Sequence, residues 1–215
     1  MVRVRVRQHV NPLSQKYNSP IAPPDWSQVY SRTTQPLHLD IGCARGKFLL
    51  QMAQLRSDHN FLGIEIREPL VQEANSKVQQ LKLTNLHYLY GNINISLSVL
   101  LESLPPGILQ WVTVQFPDPW FKKRHDKRRI VQPELVNVLA RYLLPNTIVF
   151  LQSDIQAVAV EMVKCFQQNP HFQQQHQKTW LDTNPFPIQT EREKSTLTRQ
   201  KPVYRALFEK IHARV

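Results

Sequence analysis

From Pro36 onward, short apolar runs alternate with amphipathic stretches. Leu37 to Ile41, Phe61 to Ile66, Leu86 to Tyr90, Leu109 to Phe116 and Thr147 to Gln152 read as strands, apolar enough to be buried on both faces. Gly46 to Leu55, Glu68 to Leu81, Ile95 to Glu102, Gln132 to Tyr142 and Ile155 to Phe166 read as the helices between and after them. Strands alternating with such helices imply βαβ units, a parallel sheet and right-handed crossovers. The predicted fold is a doubly wound α/β sheet of the Rossmann-like kind, with a crevice at the C-terminal ends of its strands. Two later strand-like stretches, Phe172–Trp180 and Val203–Lys210, predict an antiparallel edge.

Residues 1–35 lack that pattern. Arg and Val alternate over positions 2 to 7, and turn chemistry follows at Asn11-Pro12, Ser19-Pro20 and Pro23-Pro24-Asp25. The segment reads as a basic arm, flexible unless bound, with an edge strand or an idle tail as the alternative. Residues 36–215 then form one domain, a size that a single core supports.

Composition narrows the function. The 215 residues carry 27 Lys and Arg against 16 Asp and Glu, a net charge of +11, and 41% are hydrophobic. That excludes a wholly disordered chain and points to an anionic partner. No apolar run reaches membrane-spanning length, and the N-terminus lacks the apolar core of a secretory signal. Two distant cysteines and eight scattered histidines suggest neither a disulfide framework nor a metal site. The expected setting is the cytoplasm, with no membrane, no metal and no obligate protein partner. Glycine is scarce, five in all, and every one lies in the first half of the chain.

Five constellations carry candidate chemistry. In Asp40-Ile41-Gly42-Cys43-Ala44-Arg45-Gly46-Lys47 a strand turns into a helix through a small-residue loop. The middle glycine of a dinucleotide fingerprint is missing, so any tight turn could look this way. Glu65 ends the next strand, where a carboxylate suits two ribose hydroxyls, although a solvated strand end would look the same. Asn92 follows the third strand, where an amide can meet an adenine edge. Asp40, Glu65 and Asn92 along one sheet edge favour a nucleoside-containing cofactor. An acidic loop without a diphosphate nest suits a cationic one, and S-adenosylmethionine fits better than NAD.

The most specific stretch is Pro117-Asp118-Pro119-Trp120-Phe121, followed by Lys122 to Arg129, where six of eight residues are Lys or Arg. The prolines stiffen the loop around Asp118, and cations beside aromatics suit phosphate contact with base stacking. A bare charge run would as readily be a solvated face. Asp154, and the run Thr190-Glu191-Arg192-Glu193, are ambiguous by composition; Thr190 and Glu193 also have capping-box spacing.

Taken together these motifs resemble the bacterial tRNA (guanine-N7)-methyltransferases, class I enzymes that use S-adenosylmethionine. The likeness runs from about Pro36 to Lys210 and includes Arg5-Val6-Arg7-Gln8-His9-Val10-Asn11-Pro12-Leu13. The resemblance implies methyl transfer to N7 of the variable-loop guanine at tRNA position 46. It implies that Asp40, Gly42, Glu65, Asn92 and Asp118 meet the donor, with Asp118 catalytic. It further implies that Lys122, Asp154, Thr190, Glu191, Arg192 and Glu193 meet the tRNA. Ala44 stands where many relatives have glycine, and Asp40 and Asn92 where they often have Glu and Asp. A methyltransferase acting on an exocyclic amine, with an Asp-Pro-Pro-Tyr-like loop, and a non-enzymatic RNA-binding module are the competing readings.

Overall fold

The computed structural model describes residues 10–212. Seven strands form one sheet in the order β3-β2-β1-β4-β5-β7-β6. Strands β1 (Leu37–Ile41), β2 (Asn60–Glu65), β3 (Leu86–Tyr90), β4 (Leu109–Gln115) and β5 (Ile148–Ser153) are mutually parallel. β7 (Tyr204–Lys210) lies between β5 and β6 (Phe172–Gln174), antiparallel to both. The predicted strands are thus present with an antiparallel edge, but the Phe172–Trp180 stretch keeps only three residues as strand. The chain order reverses between β1 and β4, which opens a crevice at their C-terminal ends.

Side-chain alternation divides the core between the two sheet faces. Leu37, Leu39 and Ile41 of β1 join Val112, Val114, Val149 and Leu151 in one cluster. That cluster also holds residues of α4 (Ile93–Ser103), α5 (Pro133–Tyr142) and α6 (Gln156–Gln167). On the other face α2 (Lys47–Leu55) and α3 (Glu68–Gln80) contribute Phe48, Leu49, Met52, Val71 and Ala74 to a second cluster with Phe61 and Tyr88. The intervening residues of the central strands, His38, Asp40, Thr113, Gln115 and Gln152, are polar and buried.

Residues 1–9, which include the Arg3–Arg7 part of the expected arm, lie outside the described residues. Within positions 10–35 the structure differs from a flexible arm. Ile21, Trp26 in α1 (Trp26–Val29) and Tyr30 are buried in the first cluster. The Trp26 indole donates to Ser103 Oγ at 3.1 Å, and the Tyr30 hydroxyl donates to the Phe61 carbonyl at 3.1 Å. The proline turns space these anchors, and burying each stabilises the fold by roughly 1.5–3 kcal/mol, enough to hold a segment with little regular structure.

Candidate active site

A crevice of about 1170 Å³ opens where β1, β2 and β4 end, lined among others by Asp40, Glu65, Asn92, Asp118, Asp154 and Glu191. The loop after β1 builds its floor. Gly46 sits in the left-handed region at φ 66°, and a Cβ there would lie 2.4 Å from the Tyr88 ring, whose hydroxyl donates to the Gly46 carbonyl at 2.5 Å. Glycine is therefore required by backbone and by neighbour alike. Ala44, at the position where many relatives have glycine, adopts φ 51°. That conformation costs an L-residue roughly 1–2 kcal/mol, and the loop holds it by donating the Ala44 N–H to Glu65 Oε2 at 2.9 Å.

The N–H groups of Gly42 and Cys43 bond the Ile64 carbonyl at 2.8 and 3.1 Å, and that of Gly46 bonds the Cys43 carbonyl at 2.9 Å. With the Ala44 N–H held by Glu65, these loop donors are not free for a diphosphate. The loop's acidic walls suit a cationic nucleoside instead, so the residues present fit S-adenosylmethionine. Among the described residues no group of three or more His, Cys, Asp or Glu is placed to hold a metal ion, and no helix is long and apolar enough to cross a membrane.

Glu65 is buried at the tip of β2, and both its oxygens are engaged. Oε1 accepts from the Arg67 N–H at 3.0 Å and Nε at 2.8 Å, while Oε2 accepts from Arg67 Nη2 at 3.0 Å as well as from Ala44. A carboxylate offers about four acceptor sites, so ribose hydroxyls reach Glu65 only by displacing the Arg67 side chain. Asp40 is also buried. Its Oδ1 accepts from Thr113 Oγ1 at 2.6 Å and Gln115 Nε2 at 3.3 Å. Burial pushes its pKa up to about 6, against the pull of those two bonds, and nearby Glu65 adds to the rise. Thr113 has a single hydroxyl proton, directed at Asp40. His38 Nε2, 3.1 Å from the same hydroxyl, must then be the donor, and burial holds His38 neutral with a pKa near 3.

Asn92 lines the crevice, but its side chain is committed inside the protein. Oδ1 caps α4 by accepting from the Asn94 N–H at 3.2 Å, and Nδ2 donates to the carbonyls of Pro12 at 3.1 Å and Tyr17 at 3.4 Å. An aspartate could not donate these last two bonds, which gives the amide a role in holding the N-terminal segment at the crevice.

Asp118 stands in a loop whose backbone is left-handed at two bulky residues, Phe116 at φ 51° and Trp120 at φ 43°. Such outliers persist only where the surroundings enforce them. Arg129 does so by donating to the carbonyls of Pro119 at 3.1 Å and Trp120 at 3.2 Å, and Arg128 lies 5.0 Å over the Trp120 ring. Two of the six cations in the basic run thus brace the loop. Lys122, Lys123, Arg124 and Lys127 are exposed. Asp118 lies close enough to Arg67 to favour that side chain's charged form.

The run Thr190–Glu193 divides between surface and interior. It opens α7 (Glu191–Thr198), with Thr190 Oγ1 accepting from the Glu193 N–H at 3.1 Å. Only that half of a capping box forms, because the Glu193 carboxylate turns inward and is fully buried. It accepts from Arg205 Nη2 at 2.7 Å, Asn184 Nδ2 at 2.7 Å and Gln152 Nε2 at 3.4 Å. Direct tRNA contact by Glu193 is therefore corrected to an internal anchor for α7. Glu191 and Arg192 stay exposed at the rim, paired with Lys47 at 2.9 Å and Asp154 at 2.6 Å.

Sequence reasoning missed Arg67 and the buried polar row Gln115–Gln152–Arg205. In that row Gln152 Nε2 donates to Gln115 Oε1 at 2.7 Å, and Gln152 faces Arg205 in the strand register. Polar side chains inside otherwise apolar central strands were the available signal.

A parallel sheet with an antiparallel last edge and a crevice at the strand tips is the fold of class I methyltransferases. Two solved methyltransferases share the fold. An S-adenosylmethionine-dependent O-methyltransferase from Thermotoga maritima has a TM-score of 0.53 at 15% identity, over 94% of this chain and 70% of that one. An aminoglycoside resistance methyltransferase also has a TM-score of 0.53, at 17% identity, over 83% and 89% of the two chains. A family model described as "Putative methyltransferase" matches residues 34–206. The tRNA (guanine-N(7)-)-methyltransferases of Microcystis aeruginosa and Trichormus variabilis are 63% and 64% identical over 97% of this chain, covering 99% and 97% of theirs. The chain belongs to the tRNA (guanine-N(7)-)-methyltransferase family.

Proposed function

We infer that the protein methylates N7 of a guanine in tRNA, the variable-loop guanine at position 46, with S-adenosylmethionine as donor. The observation that carries this reading is near-full-length identity above 60% to proteins of that name, joined to a crevice that suits a cationic nucleoside. When bound, the donor supplies an electrophilic methyl group on a sulfonium.

The residues of the chain do the rest. Guanine N7 carries a free lone pair and no proton, so no general base is needed at that atom. The task is to hold the base in line with the methyl group and to favour the positive charge that moves onto the purine. Asp40, Glu65 and the loop 42–46 would hold the donor. Asp118, fixed by its strained loop, would anchor the guanine's N–H edge or the donor's amine. Exposed Lys122, Lys123, Arg124 and Lys127, with Arg192 at the rim, would meet phosphates. A tRNA substrate supports a cytoplasmic setting.

The test is mass spectrometry of nucleosides after tRNA transcripts are incubated with donor and protein. 7-Methylguanosine is the expected product, absent with Asp118→Ala although that variant still binds tRNA. N6-methyladenosine or another exocyclic product would favour the amine-methylating alternative. No methylated nucleoside together with retained RNA binding would favour the binding module.

A further inference from the structure

We propose that Phe121 is a base-stacking residue, its ring receiving an unpaired base of the substrate RNA at the mouth of the crevice. The proposal rests on the tRNA reading above and assigns to one particular ring the stacking that the aromatic and basic stretch only suggested. Phe121 is 76% exposed, the most exposed of the large apolar side chains among the described residues, yet it lines the same crevice as Asp118.

Its outward direction is built into the fold. The preceding residue, Trp120, is fixed in the left-handed region, its carbonyl bonded to Arg129 and its ring covered by Arg128 at 5.0 Å and met edge-on by His125 at 5.5 Å. Trp120, the aromatic that sequence alone would choose as a platform, is thus engaged with the basic turn. The next ring along is the one turned to solvent.

The surroundings select the occupant. Phe121 is followed by exposed Lys122, Lys123 and Arg124, and so sits among cations rather than in an apolar patch. A protein interface or a lipid surface would want contiguous apolar area. A nucleic acid wants one π-face with phosphate-binding charge around it, because every base can stack and every neighbouring linkage is anionic. Guanine N7 can reach the crevice only if its nucleotide leaves the helical stack, and an aromatic ring at the mouth replaces part of the stacking lost.

Steady-state methylation of tRNA by the full chain tests this. Stacking of one base is worth 1–3 kcal/mol, so Phe121→Ala raises the KM for tRNA by roughly 5- to 150-fold. The KM for donor and the melting temperature stay unchanged. Phe121→Trp and Phe121→Tyr keep the wild-type KM, whereas Phe121→Leu raises it nearly as far as alanine does. The dependence of log KM on log salt shifts in parallel, because no phosphate contact is removed. An unchanged tRNA KM in Phe121→Ala, full rescue by Leu, or a flattened salt slope would each overturn the assignment. If Phe121→Ala left tRNA KM alone but dissociated a dimer on sedimentation, the ring would belong to a contact between copies. A wild-type protein that forms no 7-methylguanosine would sink the underlying function; an active one indifferent to Phe121 sinks only this proposal.

Discussion

Arg67 takes most of the room that Glu65 has for partners, its Nε 2.8 Å from Oε1 and its Nη2 3.0 Å from Oε2. The carboxylate predicted to grip a ribose is thus held by a guanidinium two residues away. Arg67→Met removes the competitor and also leaves a buried carboxylate with only backbone donors. The expected outcome is tighter donor binding by calorimetry together with a lower melting temperature, from loss of a charge-assisted contact worth about 1.5–3 kcal/mol. Weaker donor binding in this variant would mean that Arg67 helps to bind the donor instead.

Asp40 is expected to make donor affinity depend on pH. Its pKa is raised from 3.8 to about 6 in the folded chain, so its contribution to stability is present below about 3.8 and is lost as pH rises through about 6. A sulfonium donor favours the ionised carboxylate and reverses that preference on binding. Donor affinity should therefore fall by up to about tenfold per pH unit below about 6, with proton release measurable by calorimetry in buffers of different ionisation enthalpy. Asp40→Asn should flatten the profile and, above pH 6, melt higher than the wild type.

Glu193 and Arg205 form a buried ion pair at 2.7 Å, so truncating one partner strands the other. Glu193→Ala is expected to cost about 3–5 kcal/mol in urea unfolding, whereas the exposed Arg192–Asp154 pair contributes at most about 1 kcal/mol. Under conditions where the Glu193 variant stays folded, its tRNA affinity should keep the wild-type salt slope. A changed slope would return Glu193 to the RNA surface.

The exposed cations of the basic run should behave oppositely. Lys122→Ala with Arg124→Ala is expected to leave stability intact and to reduce the slope of log affinity against log salt by about 1.4–1.8, two phosphate contacts' worth. Arg129→Ala should instead release the carbonyls of Pro119 and Trp120 and lower the methylation rate. Equal effects from both sets would remove the distinction between bracing and binding cations.

The sheet and its crevice were legible because period-2 and period-3.6 patterns report burial, and burial is what the βαβ core requires. The edge was less so: the stretch from Phe172 to Trp180 has strand chemistry, but the ladder with β7 covers Phe172–Gln174 and is followed by just one more bond, from the Gln175 N–H to the Leu207 carbonyl at 2.9 Å. That Asp40, Glu65 and Asp118 line one crevice was legible from their places at or just beyond strand ends. Asn92 and Glu193 were placed at the right end of the sheet with the wrong partners. Whether an amide or carboxylate faces a ligand or its own chain is settled by residues far away in sequence, Pro12 for one and Arg205 for the other. The N-terminal segment was misjudged for a related reason. Ile21 packs where a Cβ on Gly91 would lie 2.3 Å from its Cγ1, a fit that no local periodicity announces.

The polar row from Asp40 through Gln115 and Gln152 to Glu193 and Arg205 also constrains how this family can drift. Each amide is oriented by its neighbour: Gln115 accepts from Gln152 and donates to Asp40, so replacing any one reverses or orphans the next. Single steps at Gln115, Gln152, Glu193 or Arg205 pass through a destabilised intermediate. Those four positions are therefore expected to change together between lineages or not at all, so that a residue of the crevice and one on the last strand share a single evolutionary fate.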